Sequence, residues 1–184
     1  MAQFDSCLDY VLPHEGGYSD DKADPGGATN FGISMRFLQD VDSATLKRIG
    51  ITGKITKDTI KNLTLDQAKS LYYTEFWVKA PFDKIMNGMI AQYVFDMSVN
   101  HGLKQATLIT QRACCAAQKL RDFVIDDGIF GKKTLAAINQ MSFMLIPAMI
   151  AQRVGFIRQL VAVKPELGVF LDGWLNRAFD WGQS

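Results

Sequence analysis

Leu12-Pro13-His14-Glu15-Gly16-Gly17-Tyr18 and, nine positions beyond Glu15, Asp24-Pro25-Gly26-Gly27-Ala28-Thr29-Asn30-Phe31-Gly32-Ile33 are the stretches that decide how this chain folds. Before the first, Phe4, Cys7, Leu8, Val11 and Leu12 recur at helical spacing, so a helix runs up to Pro13–Gly17 and stops there. Residues 18–34 are polar and rich in glycine and proline, which reads as a loop or short hairpin with 29–33 extended. A carboxylate therefore ends an apolar helix, and a second one opens a glycine-rich loop.

Helical signals dominate outward from there. Ser34 is placed to cap a helix over 34–40, and Thr64-Leu65-Asp66-Gln67 has the capping-box pattern of a helix continuing to about Trp77. Further helices are expected from Asn87 to Asn100, ended by His101-Gly102, and over 105–120 and 133–139. Phe143–Lys164 reads as a long helix with Pro147 kinking it or marking its first turn. The fold class is mainly α, with a small hairpin or loop near 18–33.

The composition narrows the function classes. Of 184 residues 48% are hydrophobic and 21% charged, enough for a real core. Twenty basic against nineteen acidic residues leave a net charge of +1, which provides no basic stripe for nucleic acid. No stretch reads as reaching the length that crosses a bilayer, 141–150 being short and broken by Pro147, so no stable membrane insertion is expected. The first residues lack the basic and apolar regions of a signal peptide, so synthesis in the cytoplasm is expected. Cys7, Cys114 and Cys115 match no zinc spacing and read as small apolar residues; neither metal nor cofactor is called for.

Glu15 is the sharpest candidate for chemistry. A carboxyl beside an apolar helix end has either an ion-pair partner or a function, and desolvation would make it a proton donor near neutral pH. Gly16 and Gly17 leave room for a polymer, and Tyr18 offers a ring or a hydroxyl. The plain alternative is a surface glutamate at a helix end. Asp24 alone is a good turn residue and Thr29 alone a good strand residue, but with Glu15 they could hold and activate a water. Glycosidic cleavage uses two such polar groups, and carboxyls roughly 6.5–9.5 Å apart leave space for that water and give inversion.

These residues resemble the signature of glycoside hydrolase family 108, bacterial and phage N-acetylmuramidases of which some are called secretion activator proteins. The likeness continues through Tyr72-Tyr73-Thr74-Glu75-Phe76-Trp77, Phe95-Asp96-Met97-Ser98-Val99-Asn100-His101-Gly102 and Gly173-Trp174-Leu175-Asn176-Arg177, covering nearly the whole chain. It implies a lysozyme-like helical fold with Glu15 as catalytic acid. The order Glu15, Asp24, Thr29 also resembles the wider phage-lysozyme triad, in which the Asp-to-Thr spacing differs by one residue. Asp127-Gly128-Ile129-Phe130-Gly131-Lys132-Lys133-Thr134 resembles the turn-and-helix element of a peptidoglycan-binding domain, and a purely structural turn is the alternative.

The expected organisation is a catalytic part over 1–100 and a helical peptidoglycan-binding part over 101–184, packed as one body. Tyr18, Asn30, Tyr93 and Asn100 are the candidate substrate contacts, while Tyr73 and Trp77 are either sugar platforms or core. The resemblance implies hydrolysis of the β-1,4 bond between N-acetylmuramic acid and N-acetylglucosamine in peptidoglycan strands. Release to the wall by a holin or a secretion system would follow. A lytic transglycosylase and a non-catalytic wall-binding or secretion-accessory protein are the competing readings.

Overall fold

The computed structural model describes residues 2–20, 27–141 and 144–180, and it is mainly α: ten α-helices among the described residues and one two-stranded antiparallel sheet. The chain divides into two compact units, 1–79 and 80–184. The boundary expected at 100/101 lies at the end of the helix Gly88–His101.

In the first unit, α1 (Ala2–Glu15) buries Phe4, Cys7, Leu8 and Val11, the stripe read from the sequence. Pro13 lies inside this helix, and the helix ends two residues later. Strands β1 (Thr29–Asn30) and β2 (Ile33–Ser34) form a hairpin with Asn30 opposite Ile33. Its two turn residues, Phe31 and Gly32, both have positive φ, at 50° and 73°, which is the backbone of a type I′ turn. Helix α2 (Met35–Asp40) follows, with Ser34 accepting from the Phe37 N–H as expected.

Two short helices escaped the sequence reading: α3 (Ser43–Arg48), capped by Asp42, and α4 (Lys57–Lys61), capped by Thr56. Each is about one and a half turns, too short for hydrophobic periodicity to register. Helix α5 (Leu65–Glu75) starts at the expected capping box, with Thr64 and Gln67 bonded reciprocally at 3.2 and 3.0 Å. It packs on α1, where Phe4 meets the rings of Tyr73 and Trp77 edge-on. Of these two candidate sugar platforms, Trp77 is buried in the core, while Tyr73 stays 37% exposed.

The second unit holds α6 (Gly88–His101), α7 (Leu103–Gln118), α8 (Lys132–Asn139), α9 (Leu145–Val163) and α10 (Leu171–Phe179). Helix α9 packs on α7 and α10, and α6 packs on α7. Pro147 sits in the first turn of α9, where a missing N–H costs little, so the helix runs on to Val163. By length and composition alone α9 suffices to cross a membrane, with a mean hydropathy of 1.2, which corrects the expectation that no stretch does. Its middle, however, carries Arg153, which is fully buried.

Arg153 is the hub of a polar cluster. Its guanidinium donates to Asp96 Oδ2 at 2.8 Å, to Asn100 Oδ1 at 3.3 Å and to His101 Nε2 at 3.1 Å, and lies over the Tyr93 ring. Arg177 donates to the other Asp96 oxygen at 2.7 Å, joining α10 to α6. Burial works to raise the Asp96 carboxyl, and the two guanidiniums outweigh it and hold it below the usual carboxylate range. His101 is pushed down to about 3 by burial and by the Arg153 charge, so it stays neutral and accepts. Three helices are thus pinned by one carboxylate shared between two arginines.

Candidate active site

Glu15 is the last residue of α1, and the residue is half-buried. The hairpin turn closes over it. A Cβ built on Gly32 would lie 2.5 Å from Glu15 Oε2, 2.5 Å from the Tyr72 hydroxyl oxygen and 2.9 Å from Glu15 Cβ. Twice the shorter distance is therefore the most that can separate the carboxyl oxygen from the phenol. Gly32 is required here twice over, by its positive φ and by the absence of space for a side chain.

Tyr72 supports the same turn from α5. It is 1% exposed, and its hydroxyl donates to the Phe31 carbonyl at 2.9 Å. Phe31 is a bulky residue held at positive φ, a conformation that costs about 1–2 kcal/mol for an L-residue. The hydroxyl fixes that carbonyl and with it the turn that touches Glu15. Tyr72 received no role from the sequence beyond its place in the helix, although a tyrosine on a buried stripe with Ala68 and Leu71 signals a hydroxyl in need of a partner.

Thr29 stands on the same hairpin. Its N–H and C=O pair with Ser19 at 2.8 Å each, so the chain leaving Glu15 is tied to β1 four residues later. Its hydroxyl donates to the Gly27 carbonyl at a long 3.3 Å. Asp24 lies outside the described residues. Tyr18 is 43% exposed, and Asp20 beside it pairs with Lys57 at 2.9 Å.

The other expected substrate contacts have different occupations. Asn30 is buried, and its amide donates to the carbonyls of Ile60 at 3.1 Å and Lys61 at 3.5 Å, fastening the hairpin to α4. Tyr93 is buried with its hydroxyl donating to the Ala178 carbonyl at 2.7 Å, and Asn100 accepts from Arg153. These bonds give Asn30, Tyr93 and Asn100 structural roles in the fold.

In the second unit the Asp127–Thr134 element is a closed network around Gln111, which the sequence did not single out. The Gln111 amide donates to Asp127 Oδ1 and Thr134 Oγ1 at 2.9 Å each, and its oxygen accepts from the Gly128 N–H at 3.0 Å. Asp127 also accepts from the Ile129 N–H at 2.8 Å, and these donors hold its carboxyl below the usual range. Thr134 donates to the Ile129 carbonyl at 3.0 Å. Gly128, at φ 72°, lies against Lys104 and Leu108 of α7 with no room for a Cβ. The motif's polar side chains face one another and hold a turn. Burial pushes the thiols of Cys7 and Cys114 up to about 12, in line with their reading as core residues.

Comparison with known families bears on both units. Residues 8–102 match the model of the Glycosyl hydrolase 108 family. The chain belongs to that family. Residues 105–179 of this family 108 protein match the "Predicted Peptidoglycan domain" model. Helix α6 therefore falls within the hydrolase match, while its packing lies with the second unit. Among solved structures, SagA from Brucella abortus is similar over 100% of this chain and 97% of its own, with 25% identity and a TM-score of 0.66. No curated protein matches. A glycoside hydrolase directed at peptidoglycan, with a lysozyme-like mainly α fold, is what family, domain and neighbour together support.

Proposed function

We propose that this family 108 protein is an N-acetylmuramidase that hydrolyses the β-1,4 bond between N-acetylmuramic acid and N-acetylglucosamine, with Glu15 as general acid. The observation that carries the reading is the lodging of the Glu15 carboxyl at the end of α1 against Gly32 and beside Tyr72. A proton donor must be held within hydrogen-bond reach of the leaving oxygen, and a carboxyl fixed by a helix end and a hairpin turn meets that need. Glu15 protonates the departing glycosidic oxygen. A water held by Asp24 and Thr29 attacks the anomeric carbon from the opposite face, with inversion.

Tyr18, exposed in the loop that follows Glu15, is the remaining candidate for contact with the glycan. The wall is the site of action, reached through a holin or a secretion system. The test is digestion of purified peptidoglycan, followed by borohydride reduction and mass spectrometry of the fragments. Reduced muramitol ends are expected. Anhydro-muramic ends would identify a lytic transglycosylase instead, and binding to walls without soluble fragments would identify a non-catalytic accessory protein.

A further inference from the structure

We infer that the second unit carries a cleft for the carboxylate-bearing peptide stems of peptidoglycan; the inference rests on peptidoglycan as the partner that the match over 105–179 supports. Arg112, Cys115 and Lys119 fall at the spacing of one face of α7. The chain that follows folds back beside this face, and the Cys115 thiol donates to the Val124 carbonyl at 3.2 Å, tying loop to helix. Between them, with Gln152 of α9 at one side, lies a hollow of about 390 Å³, a size that suits a short peptide.

The charges in this hollow do not balance. Arg112, Lys119 and Arg121 stand against one carboxylate, Asp126, which already accepts from the Arg112 Nε at 2.8 Å. Lys119 and Arg121 are exposed, and among the described residues neither has an ion-pair partner. Asp122, next to Arg121, lines a neighbouring hollow together with Lys133. Lys119 also holds an unusual seat. Helix α7 ends in a Schellman motif, with the Lys119 N–H on the Ala116 carbonyl and the Leu120 N–H on the Cys115 carbonyl, each at 3.1 Å. The left-handed position of that motif is ordinarily glycine, yet Lys119 occupies it at φ 55°. An ammonium is thus kept at the cleft at a conformational cost that glycine would spare.

Two unpaired cations call for an anionic ligand. In peptidoglycan the free carboxylates belong to the peptide stems, because the lactyl carboxyl of the sugar is spent in the amide that joins the stem. Leu120, 57% exposed, gives an apolar wall to the methyl groups of such a peptide, and the Gln152 amide can pair with its backbone.

Titration calorimetry of the full chain with synthetic L-Ala-γ-D-Glu-meso-diaminopimelate tests the proposal. The peptide should bind, and Lys119→Gly and Arg121→Gln should each weaken it about 2- to 5-fold, the worth of a solvent-screened charge contact. Glycine suits φ 55°, so Lys119→Gly removes the charge while keeping the turn. No binding, undiminished binding in both variants, or equally tight binding of acetate would overturn the cleft. Binding of neutral chitotetraose in place of the peptide would also overturn it, by putting the contact on the glycan. The probe has no glycosidic bond, so the outcome is independent of Glu15 and of hydrolysis. The partner itself is checked separately: the Glu15→Gln chain should sediment with purified peptidoglycan, and its failure to do so would remove the partner rather than the cleft alone.

Discussion

Replacing Gly32 by alanine separates two costs that the structure assigns to one position. The new methyl group would need to lie 2.5 Å from both the Glu15 carboxyl oxygen and the Tyr72 hydroxyl, and 2.9 Å from Glu15 Cβ. A carboxyl can rotate away, but Glu15 Cβ moves only with the last turn of α1. Crowding of this kind costs about 1–3 kcal/mol, and the left-handed backbone adds about 1–2 kcal/mol for an L-residue. The sum, about 2–5 kcal/mol, is a large share of the stability of an ordinary domain. Gly53 supplies the control, having φ 83° with nothing within 4 Å of a built Cβ. Gly53→Ala should therefore show the backbone cost alone. Urea unfolding of the two variants and wild type gives the comparison, read as a change in midpoint at constant slope. Activity on purified walls should fall by about 10²-fold or more in Gly32→Ala, because a shift near 1 Å at a reacting group costs that much, and stay near wild type in Gly53→Ala. Equal destabilisation of the two variants with full activity in Gly32→Ala would refute the placement of Glu15 against the turn.

Asp96→Asn leaves two arginines around an uncharged side chain and should destabilise the second unit by about 3–5 kcal/mol, measurable by calorimetry. His101 titrates at about 3 in the folded chain and near 6.5 when unfolded. The unfolded chain thus takes up a proton that the folded one refuses, and stability falls as pH drops from 6.5 towards 3. The slope contributed is at most about 1.4 kcal/mol per pH unit, and His101→Gln should flatten the curve in that window. Gln111→Ala leaves the Gly128 N–H and the polar atoms of Asp127 and Thr134 short of partners. It should cost about 1–3 kcal/mol for each buried group left unsatisfied and speed amide exchange over 127–131.

Features written in local spacing were legible in the sequence. The α1 stripe, the caps at Ser34 and Thr64, the Asn87–Gly102 helix and the early Pro147 of α9 each follow from rules spanning a few residues. The place of Glu15 at the end of α1 was legible in the same way, from the apolar spacing that stops at Pro13–Gly17. What stayed hidden depends on partners far along the chain. Nothing local shows that Asn30 spends its amide on Ile60, or that Tyr93 and Asn100 belong to the cluster around Arg153. Gln111 lies mid-helix, and its role appears only when residues 127–134 fold back on it. Tyr72 stands 41 positions beyond the carbonyl that it holds.

The most direct measurement compares wild type and Glu15→Gln on purified peptidoglycan, following new reducing ends released with time while wall binding and melting temperature are recorded in parallel. Glutamine keeps the shape of the side chain and has no acidic proton to give. Loss of nearly all reducing-end release, with binding and melting unchanged, is the predicted result. Release at the wild-type rate would contradict the assignment of Glu15 as the proton donor.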